Sequence, residues 1–378
     1  MKPGCESIRA SAFLLTAVLV AGLNGCASTT ARSSSSLFYP PPPQRPRIQY
    51  LKKFADGRDV EGRENAVVRF LVGDQSGERR LRKPTGLAAH DGVIYVADTG
   101  WDTVLALDLK NGVFDTIRDE GAGKLRVPVA IAIDSQGNKF VADTERNQVV
   151  QFDQKNEFVY AYGEPEKIRP AGVAVDDKLL YVTNRSEHRV EIFDRATKKS
   201  VRTIGEFGDA EGQFNIPTSL SLDRNGHLFV TDAANFRIQE FDRDGKHVKS
   251  FGLLGDGPGT FARPRGHGVD REGHLYSADA AFENVQIWDT TNAEVLLAFG
   301  GPGVGPGQMY LPASVCISYD LVPYFTDLVD PDFTLQYVVL VANNYGPSKI
   351  GVYGFVNPKN PSQYVEHSND TGRKGSAE

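Results

Sequence analysis

Pro170-Ala171-Gly172-Val173-Ala174-Val175-Asp176 is followed in the chain by Arg189-Val190-Glu191-Ile192-Phe193-Asp194. In each stretch, apolar residues alternate with small or polar ones, and an Asp ends the run. Alternation with a period of two, bounded by turn-forming residues, predicts short β-strands.

The same pattern recurs along most of the chain, and a proline opens each copy. Spacings of 44, 42, 47, 47 and 48 residues separate the six anchor prolines, which are Pro84, Pro128, Pro170, Pro217, Pro264 and Pro312. An Asp or Asn closes the second strand of every copy, at Asp98, Asp143, Asn184, Asp232, Asp279 and Asn343. A period in the forties with short strands is typical of propeller blades, each a four-stranded sheet. The sequence therefore predicts an all-β, six-bladed β-propeller.

The sixth copy lacks its last strand. Its third strand, predicted at residues 349–355, leads into a polar tail with no further alternation. Residues 48–54 have the required alternation, and pairing the two chain ends would remove an exposed sheet edge. We therefore expect an N-terminal strand to join the last blade and close the ring, so that residues 48–357 form one domain.

The copies resemble NHL repeats, in which an anchoring proline leads through a Gly-Val-Ala-Val-Asp-like strand to an Arg-Ile/Val…Phe-Asp strand. The best matches are residues 170–176 with 189–194, and Phe236-Arg237-Ile238-Gln239-Glu240-Phe241-Asp242. This resemblance implies the propeller fold and no particular activity.

The N-terminus has the features of an export signal. Lys2 and Arg9 flank an apolar run from residue 10 to 23 that is too short to span a bilayer. The run ends in Leu23-Asn24-Gly25-Cys26, which resembles the lipobox of bacterial lipoproteins. The resemblance implies that residues 1–25 are a signal peptide and that Cys26 is lipidated. An ordinary signal peptide cut near Ala27 is the alternative.

Two polar segments flank the predicted propeller. Residues 26–47 are rich in Ser and Pro and are expected to be a stand-off tether, and residues 358–378 are expected to be a disordered tail. With lipobox, proline tether and propeller in this order, the chain resembles a group of bacterial six-bladed propeller lipoproteins. By that resemblance, Ala27 favours sorting to the outer membrane, on its periplasmic side or at the cell surface, with the lipid holding the protein to the membrane.

Composition excludes some partners. The chain has a formal net charge of −6 and no cluster of Lys or Arg with interleaved aromatic residues, so nucleic acid is not expected to bind. The glycine-rich runs at residues 205–212, 252–259 and 300–307 do not continue into Gly-Lys-Ser/Thr, and each leads to an anchor proline. They are expected to be loops between blades.

The recurring Asp and Asn residues are interpreted as structural. A residue present in every blade serves what all blades share, and a carboxylate or amide at a strand end accepts backbone N–H groups that set the turn.

One blade has a singular inner strand, Pro264-Arg265-Gly266-His267-Gly268-Val269. Where other blades carry Leu, Ile or Val, this one has His267. Arg265 and His267 are candidate channel residues that would project a cationic pair into the central channel. A hydrogen-bonded structural histidine beside a surface arginine is the alternative. No histidine cluster has the spacing of a zinc site, so no metal ligands and no cofactor are assigned, although a divalent metal in the channel stays open.

The sixth blade contains an insertion, roughly Tyr319 to Gln336. Its aromatic and acidic residues are candidates for a protein-docking surface, or for a segment folded back over the propeller. They are Tyr319, Tyr324, Phe325, Asp327, Asp330, Asp332 and Phe333.

Two functions remain open at this point. The first is a lipid-anchored scaffold that binds an envelope protein, since no nucleophile or other catalytic constellation is recognisable. The second is a metal-dependent hydrolase or lyase, or a small-ligand binder, that uses the central channel.

Overall fold

The computed structural model describes residues 36–60 and 80–365. Within these ranges the chain forms only β-strands and one-turn 3-10 helices, and no helix is long and apolar enough to cross a membrane. The 3-10 helices are Gly57–Asp59, Gly121–Gly123, Ala233–Asn235, Val322–Tyr324, Thr326–Leu328 and Pro361–Gln363. The predicted signal peptide and Cys26 lie outside the described residues.

Two strands precede the repeat, and five four-stranded antiparallel sheets follow as blades one to five. The first two strands are β1 (Phe38–Tyr39) and β2 (Ile48–Phe54). Blade one consists of β3 (Pro84–His90), β4 (Val93–Asp98), β5 (Thr103–Asp108) and β6 (Val113–Thr116). Blade two consists of β7 (Pro128–Ile133), β8 (Lys139–Asp143), β9 (Gln148–Phe152) and β10 (Phe158–Tyr162). Blade three consists of β11 (Pro170–Val175), β12 (Leu179–Asn184), β13 (Arg189–Asp194) and β14 (Ser200–Ile204). Blades four and five are β15 (Pro217–Leu222), β16 (Leu228–Asp232), β17 (Arg237–Phe241) and β18 (His247–Phe251); and β19 (Pro264–Val269), β20 (His274–Asp279), β21 (Asn284–Asp289) and β22 (Glu294–Gly300).

The sixth blade confirms the predicted ring closure. Its strands are β23 (Pro312–Ser318), β24 (Phe333–Asn343) and β25 (Ile350–Pro358), and β2 completes it by pairing antiparallel with β25. Ile48 lies opposite Phe355, and Phe54 lies opposite Ile350. The chain is therefore an all-β, six-bladed propeller whose last blade takes strands from both ends of the domain.

The domain is longer than predicted at both ends. In the expected tether, β1 pairs with β2 as a fifth strand of blade six. In the expected tail, the Val365 N–H donates to the Pro43 carbonyl at 2.9 Å, and the Arg45 N–H donates to the Val365 carbonyl at 3.1 Å. Backbone hydrogen bonds thus join the two segments to each other, and Phe38 and Tyr364 pack them against the apolar cluster between blades six and one. The remaining residues of both segments lie outside the described ranges.

The core consists of six apolar clusters, and each lies between two neighbouring blades. The cluster between blades six and one, for example, packs Leu340 of β24 near Leu87 of β3. Full burial of such a side chain contributes about 1.5–3 kcal/mol. Since every blade shares both of its faces with neighbours, none of the six sheets is stable without the ring.

The recurring Asp and Asn side chains hold the start of each innermost strand, as interpreted from the sequence. All six are fully buried. Asp279 shows the arrangement: its Oδ2 accepts the N–H groups of Ala262 and Arg263 at 2.9 and 2.8 Å, and its Oδ1 accepts those of Ala281 and Phe282 at 2.8 and 3.0 Å. One carboxylate therefore binds the chain that arrives from the previous blade and the turn that leaves its own strand. We call this contact the blade clamp.

The two Asn residues are not simply uncharged substitutes. Asn184 accepts the Arg169 N–H at 3.1 Å and donates from Nδ2 to the Lys167 carbonyl at 2.8 Å. Asn343 likewise accepts the Tyr310 N–H and donates to the Ser348 carbonyl. The amide suits these two blades because a carbonyl faces it there, which a carboxylate would repel.

We expect Asp279→Ala to lower the free energy of unfolding by about 3 kcal/mol or more, because four backbone N–H groups lose a charged acceptor and such bonds contribute about 1.5–3 kcal/mol each. Urea denaturation followed by circular dichroism measures the loss. Asp289→Ala is the matched control in the same blade, since Asp289 accepts the Thr291 N–H in an exposed turn. Equal urea midpoints for the two variants would show that the blade clamp has no special role.

Candidate functional site

The innermost strands of the six blades surround a central channel. These strands are β3, β7, β11, β15, β19 and β23, and each contacts the next around the ring. The channel encloses a cavity of about 210 Å³. All six strands begin with their anchor proline on the same side of the propeller, which we call the anchor face.

His267 does not form a cationic pair with Arg265, contrary to the first of the two sequence interpretations. The residue lies in the channel wall, but its imidazole is turned away and buried against blade four. Nε2 lies 3.2 Å from the Phe229 carbonyl, and Nδ1 lies 2.8 Å from Thr231 Oγ1. Since a carbonyl only accepts, Nε2 carries the proton of a neutral ring. Burial lowers the pKa of His267 to about 4, although the Phe229 carbonyl opposes that shift.

Arg265 does line the channel, and a second arginine joins it there. Arg185 follows β12 in blade three and borders the same cavity. Neither guanidinium has a hydrogen-bond or ion-pair partner among the described residues, and none of the cavity-lining residues is Asp or Glu. The pKa of Arg265 is lowered, first by burial and then by the positive charges of Arg263 and Arg185.

The channel does not suit a divalent metal. Divalent cations bind carboxylate, imidazole or thiolate ligands, whereas the cavity presents two guanidinium groups and a histidine that faces elsewhere. In the described ranges no three His, Cys, Asp or Glu side chains are grouped so as to hold a metal ion. The described residues of the channel therefore offer no ligand set for the divalent metal that the sequence left open.

The insertion in blade six folds back on the propeller. Phe325 is only 2% exposed and Phe333 only 5%, and Phe333 belongs to β24, so the insertion spans residues 319–332. These two phenylalanines are core residues and are withdrawn as docking candidates, because both join the apolar cluster between blades six and one.

The other five candidates remain at least partly accessible. Tyr324, Asp327 and Asp332 are exposed, while Tyr319 and Asp330 are half-buried. The Tyr319 hydroxyl donates to Glu272 Oε2 at 2.9 Å, and the Asp330 N–H donates to Gln49 Oε1 at 3.1 Å. These hydrogen bonds hold the insertion against blades five and six. Its exposed residues include three acidic ones, Asp320, Asp327 and Asp332, together with Tyr324 and Leu328.

Sequence reasoning missed an exposed apolar surface on three loops at the anchor face. We call residues 205–216, 252–262 and 301–311 the docking loops. Phe207 is 66% exposed, Leu254 62% and Val304 60%. The signal in the sequence is a large apolar residue next to glycines in a loop, where no core position demands it.

Each docking loop is held by a buried apolar residue near its end. In the first two loops these residues are Phe214 and Phe261, both fully buried. Gly205 has φ of +85°, and a Cβ there would lie 2.3 Å from the Phe214 ring. Only glycine allows the chain to turn back so tightly over the ring. The exposed tips are therefore presented by fixed loops.

Comparison with known proteins identifies an NHL repeat at residues 214–241, which span β15 to β17. The chain is 29% identical over 113 residues to the probable peptidyl-alpha-hydroxyglycine alpha-amidating lyase of Caenorhabditis elegans, a match that covers 29% of this chain and 32% of that protein. It is 23% identical over 128 residues to the protein brain tumor of Drosophila melanogaster, covering 32% of this chain and 12% of that one. The matched parts thus span a third or less of the length of these relatives.

Solved structures share the fold at low identity. A structural genomics protein of unknown function from Bacteroides thetaiotaomicron has a TM-score of 0.58 at 14% identity, covering 82% of this chain and 76% of that one. A catalytically inactive virginiamycin B lyase from Staphylococcus aureus, solved with quinupristin, has a TM-score of 0.50 at 15% identity, covering 72% and 95%. A chain of a nidogen/laminin complex has a TM-score of 0.50 at 19% identity, covering 71% and 93%.

Acid is expected to destabilise the protein through His267. The unfolded histidine binds a proton below pH 6.5, whereas the folded one does so only near pH 4. The free energy of unfolding of the wild type, relative to His267→Gln, should therefore fall by about 3 kcal/mol between pH 7 and pH 4. Urea denaturation at a series of pH values measures this difference.

His274 is the control for that experiment because its contribution has the opposite sign. A hydrogen bond from His274 Nδ1 to Asp270 Oδ2, at 2.7 Å, raises the pKa of His274. Its stabilising contribution is complete below pH 6.5 and is lost as the pH rises through the folded value. If the free energy of unfolding of the wild type, relative to His267→Gln, does not change with pH, then His267 has the same pKa in the folded and unfolded states and the prediction is wrong.

Proposed function

We propose that this protein is a lipid-anchored scaffold of the bacterial envelope that binds a partner protein through the docking loops. The observation that carries the proposal is the exposure of Phe207, Leu254 and Val304 on three consecutive loops of one face. The NHL-type propeller provides a fold in which such loops project from closed sheets, without the exposed edges that would promote aggregation.

The exposed apolar groups form a set rather than isolated exceptions. Leu253, Tyr310 and Tyr345 lie on the same face and are also exposed. Single exposed apolar residues are ordinary, whereas six large ones on the same face of the propeller favour a binding surface. Large apolar and aromatic side chains held by rigid loops lose little conformational entropy on binding, which favours their use as interface anchors.

The charges of the docking loops indicate the kind of partner. The loops contain no Lys or Arg, and they carry four exposed carboxylates, on Glu206, Asp209, Glu211 and Asp256. A partner that complements them presents an apolar surface bordered by Lys or Arg. The carboxylates of the docking loops would repel the surface of an anionic membrane, since segments that bind such membranes are rich in Lys and Arg.

The comparisons support the scaffold in a limited way. The chain contains an NHL repeat and is similar over part of its length to the protein brain tumor. A chain with this fold also occurs in the nidogen/laminin complex, which is an assembly of two proteins.

The lipid anchor rests on the lipobox-like Leu23-Asn24-Gly25-Cys26. We expect mass spectrometry of the protein from its own membranes to show a chain that begins at Cys26 and carries acyl groups. Cys26→Ala should carry none, because the thiol that receives the lipid is gone, while Cys316→Ala should be acylated like the wild type. An unmodified chain beginning near Ala27 would contradict the anchor and support an ordinary signal peptide.

The docking loops are tested by native mass spectrometry of detergent-extracted complexes. We expect the wild type to carry a stoichiometric protein partner, and the triple variant Phe207→Ser/Leu254→Ser/Val304→Ser to lose it, since interface anchors often contribute about 2 kcal/mol each.

The matched control is Val113→Ser/Val201→Ser/Leu296→Ser, which removes three exposed apolar residues from the outer strands of blades one, three and five. This variant should keep the partner. The proposal is wrong if the wild type is found alone, or if both triple variants retain the partner equally.

A further inference from the structure

Three side chains from consecutive blades converge on one side of the central channel. Arg185 belongs to blade three, Thr218 is the second residue of β15 in blade four, and Arg265 is the second residue of β19 in blade five. All three line the cavity of about 210 Å³.

The two arginines place positive charge in the channel without a counter-charge. Arg265 is half-buried and Arg185 is exposed, and the cavity wall contains no Asp or Glu. A partly buried cation without an ion pair is costly, and a second cation nearby adds repulsion. The guanidinium groups of Arg195 and Arg237, whose side chains are 15% and 14% exposed, each pair with a carboxylate, of Asp134 and Asp232. Arg265 lacks such a partner among the described residues.

Thr218 gives an independent indication. Its hydroxyl is buried and has no hydrogen-bond partner among the described residues. The other two threonines of the channel wall are satisfied: Thr85 donates to the Ala97 carbonyl at 3.0 Å, and Thr144 donates to the Val127 carbonyl at 3.3 Å. Buried hydroxyls are usually paired. Thr103, Thr218 and Ser221 have the unpaired buried hydroxyls of the described residues, and of these three only Thr218 lines the cavity, where it lies between the blades that carry the two arginines.

We propose that Arg185, Thr218 and Arg265 form a binding site for a small oxyanion, a carboxylate or a phosphate group, in the channel at the anchor face. A guanidinium donates two parallel hydrogen bonds to either group, and the Thr218 hydroxyl supplies another donor. The cavity is smaller than the roughly 300–1,000 Å³ of sites for drug-sized ligands. The ligand is therefore a small anionic compound rather than a polymer.

This site goes beyond the proposed scaffold function, because it lies inside the channel and uses none of the docking-loop tips. The two proposals therefore fail separately. The loop variant can lose the protein partner while the channel still binds an anion, because its substitutions do not touch the channel residues. Conversely, a channel that binds no anion leaves the docking loops free to bind a partner.

Isothermal titration calorimetry of the full chain tests the site with two probes, sodium phosphate and sodium malonate, at an ionic strength held constant with sodium chloride. We expect saturable binding of at least one probe with a stoichiometry of one. Binding of phosphate alone identifies a phosphate ligand, binding of malonate alone identifies a carboxylate ligand, and either result supports the site.

The variants separate binding from folding. Arg265→Gln should weaken binding at least tenfold, and Thr218→Val should weaken it less. Both should retain or exceed the wild-type melting temperature without anion, because Arg265→Gln removes a half-buried unpaired charge and Thr218→Val removes a buried unpaired hydroxyl. Arg169→Gln is the matched control, since Arg169 is exposed, lies near the anchor face and donates to Asn147 Oδ1 at 3.2 Å. It should bind like the wild type.

The site is overturned if neither probe binds above the chloride background. It is also overturned if Arg169→Gln weakens binding as much as Arg265→Gln does, since binding would then reflect only net charge. A clear fall in the melting temperature of Arg265→Gln with unchanged binding would assign that arginine a structural role instead.

Discussion

The propeller depends on the blade clamp. In each blade, one fully buried carboxylate or amide accepts N–H groups from the segment that arrives from the preceding blade. Without that acceptor, buried backbone donors would be left unpaired at the start of every innermost strand, at a cost of about 1–3 kcal/mol each. Because the clamp fixes the segment that arrives from the preceding blade to the second strand of its own blade, it sets the point at which each blade follows the one before it.

The clamp also explains why so much of the fold was predictable. A carboxylate that must meet backbone N–H groups at a fixed place recurs at a fixed place in the sequence, and so does the proline beside it. Strand alternation adds a signal that is local in the chain. Even ring closure followed from local information, because residues 48–54 alternate like a strand and the sixth blade lacked one.

The predictions that failed depended on geometry that the alternation of apolar and polar residues does not specify. The pairing register shifts between Pro264 and His267, so alternation counted from the proline does not tell which way the imidazole points. Arg185 and Thr218 were missed for another reason. They occupy positions in different blades, 33 residues apart, and only the closed ring brings them together with Arg265. Phe325 was misplaced because an aromatic residue in an irregular segment has no periodicity to show whether it faces the core, and Phe333 was misplaced because β24 begins earlier than the predicted strand at residues 337–343.

The docking loops and the channel arginines open on the same face, which links the two proposals energetically. A protein seated on the loops would cover the mouth of the channel and remove water from around Arg185 and Arg265. Taking unpaired cations further out of water is unfavourable, whereas taking a cation that is paired with an oxyanion out of water costs less. A bound anion would therefore raise the affinity for the partner, and by thermodynamic linkage a bound partner would raise the affinity for the anion by the same factor. Such coupling requires no movement of the blades, only a rigid ring that presents both sites on one face.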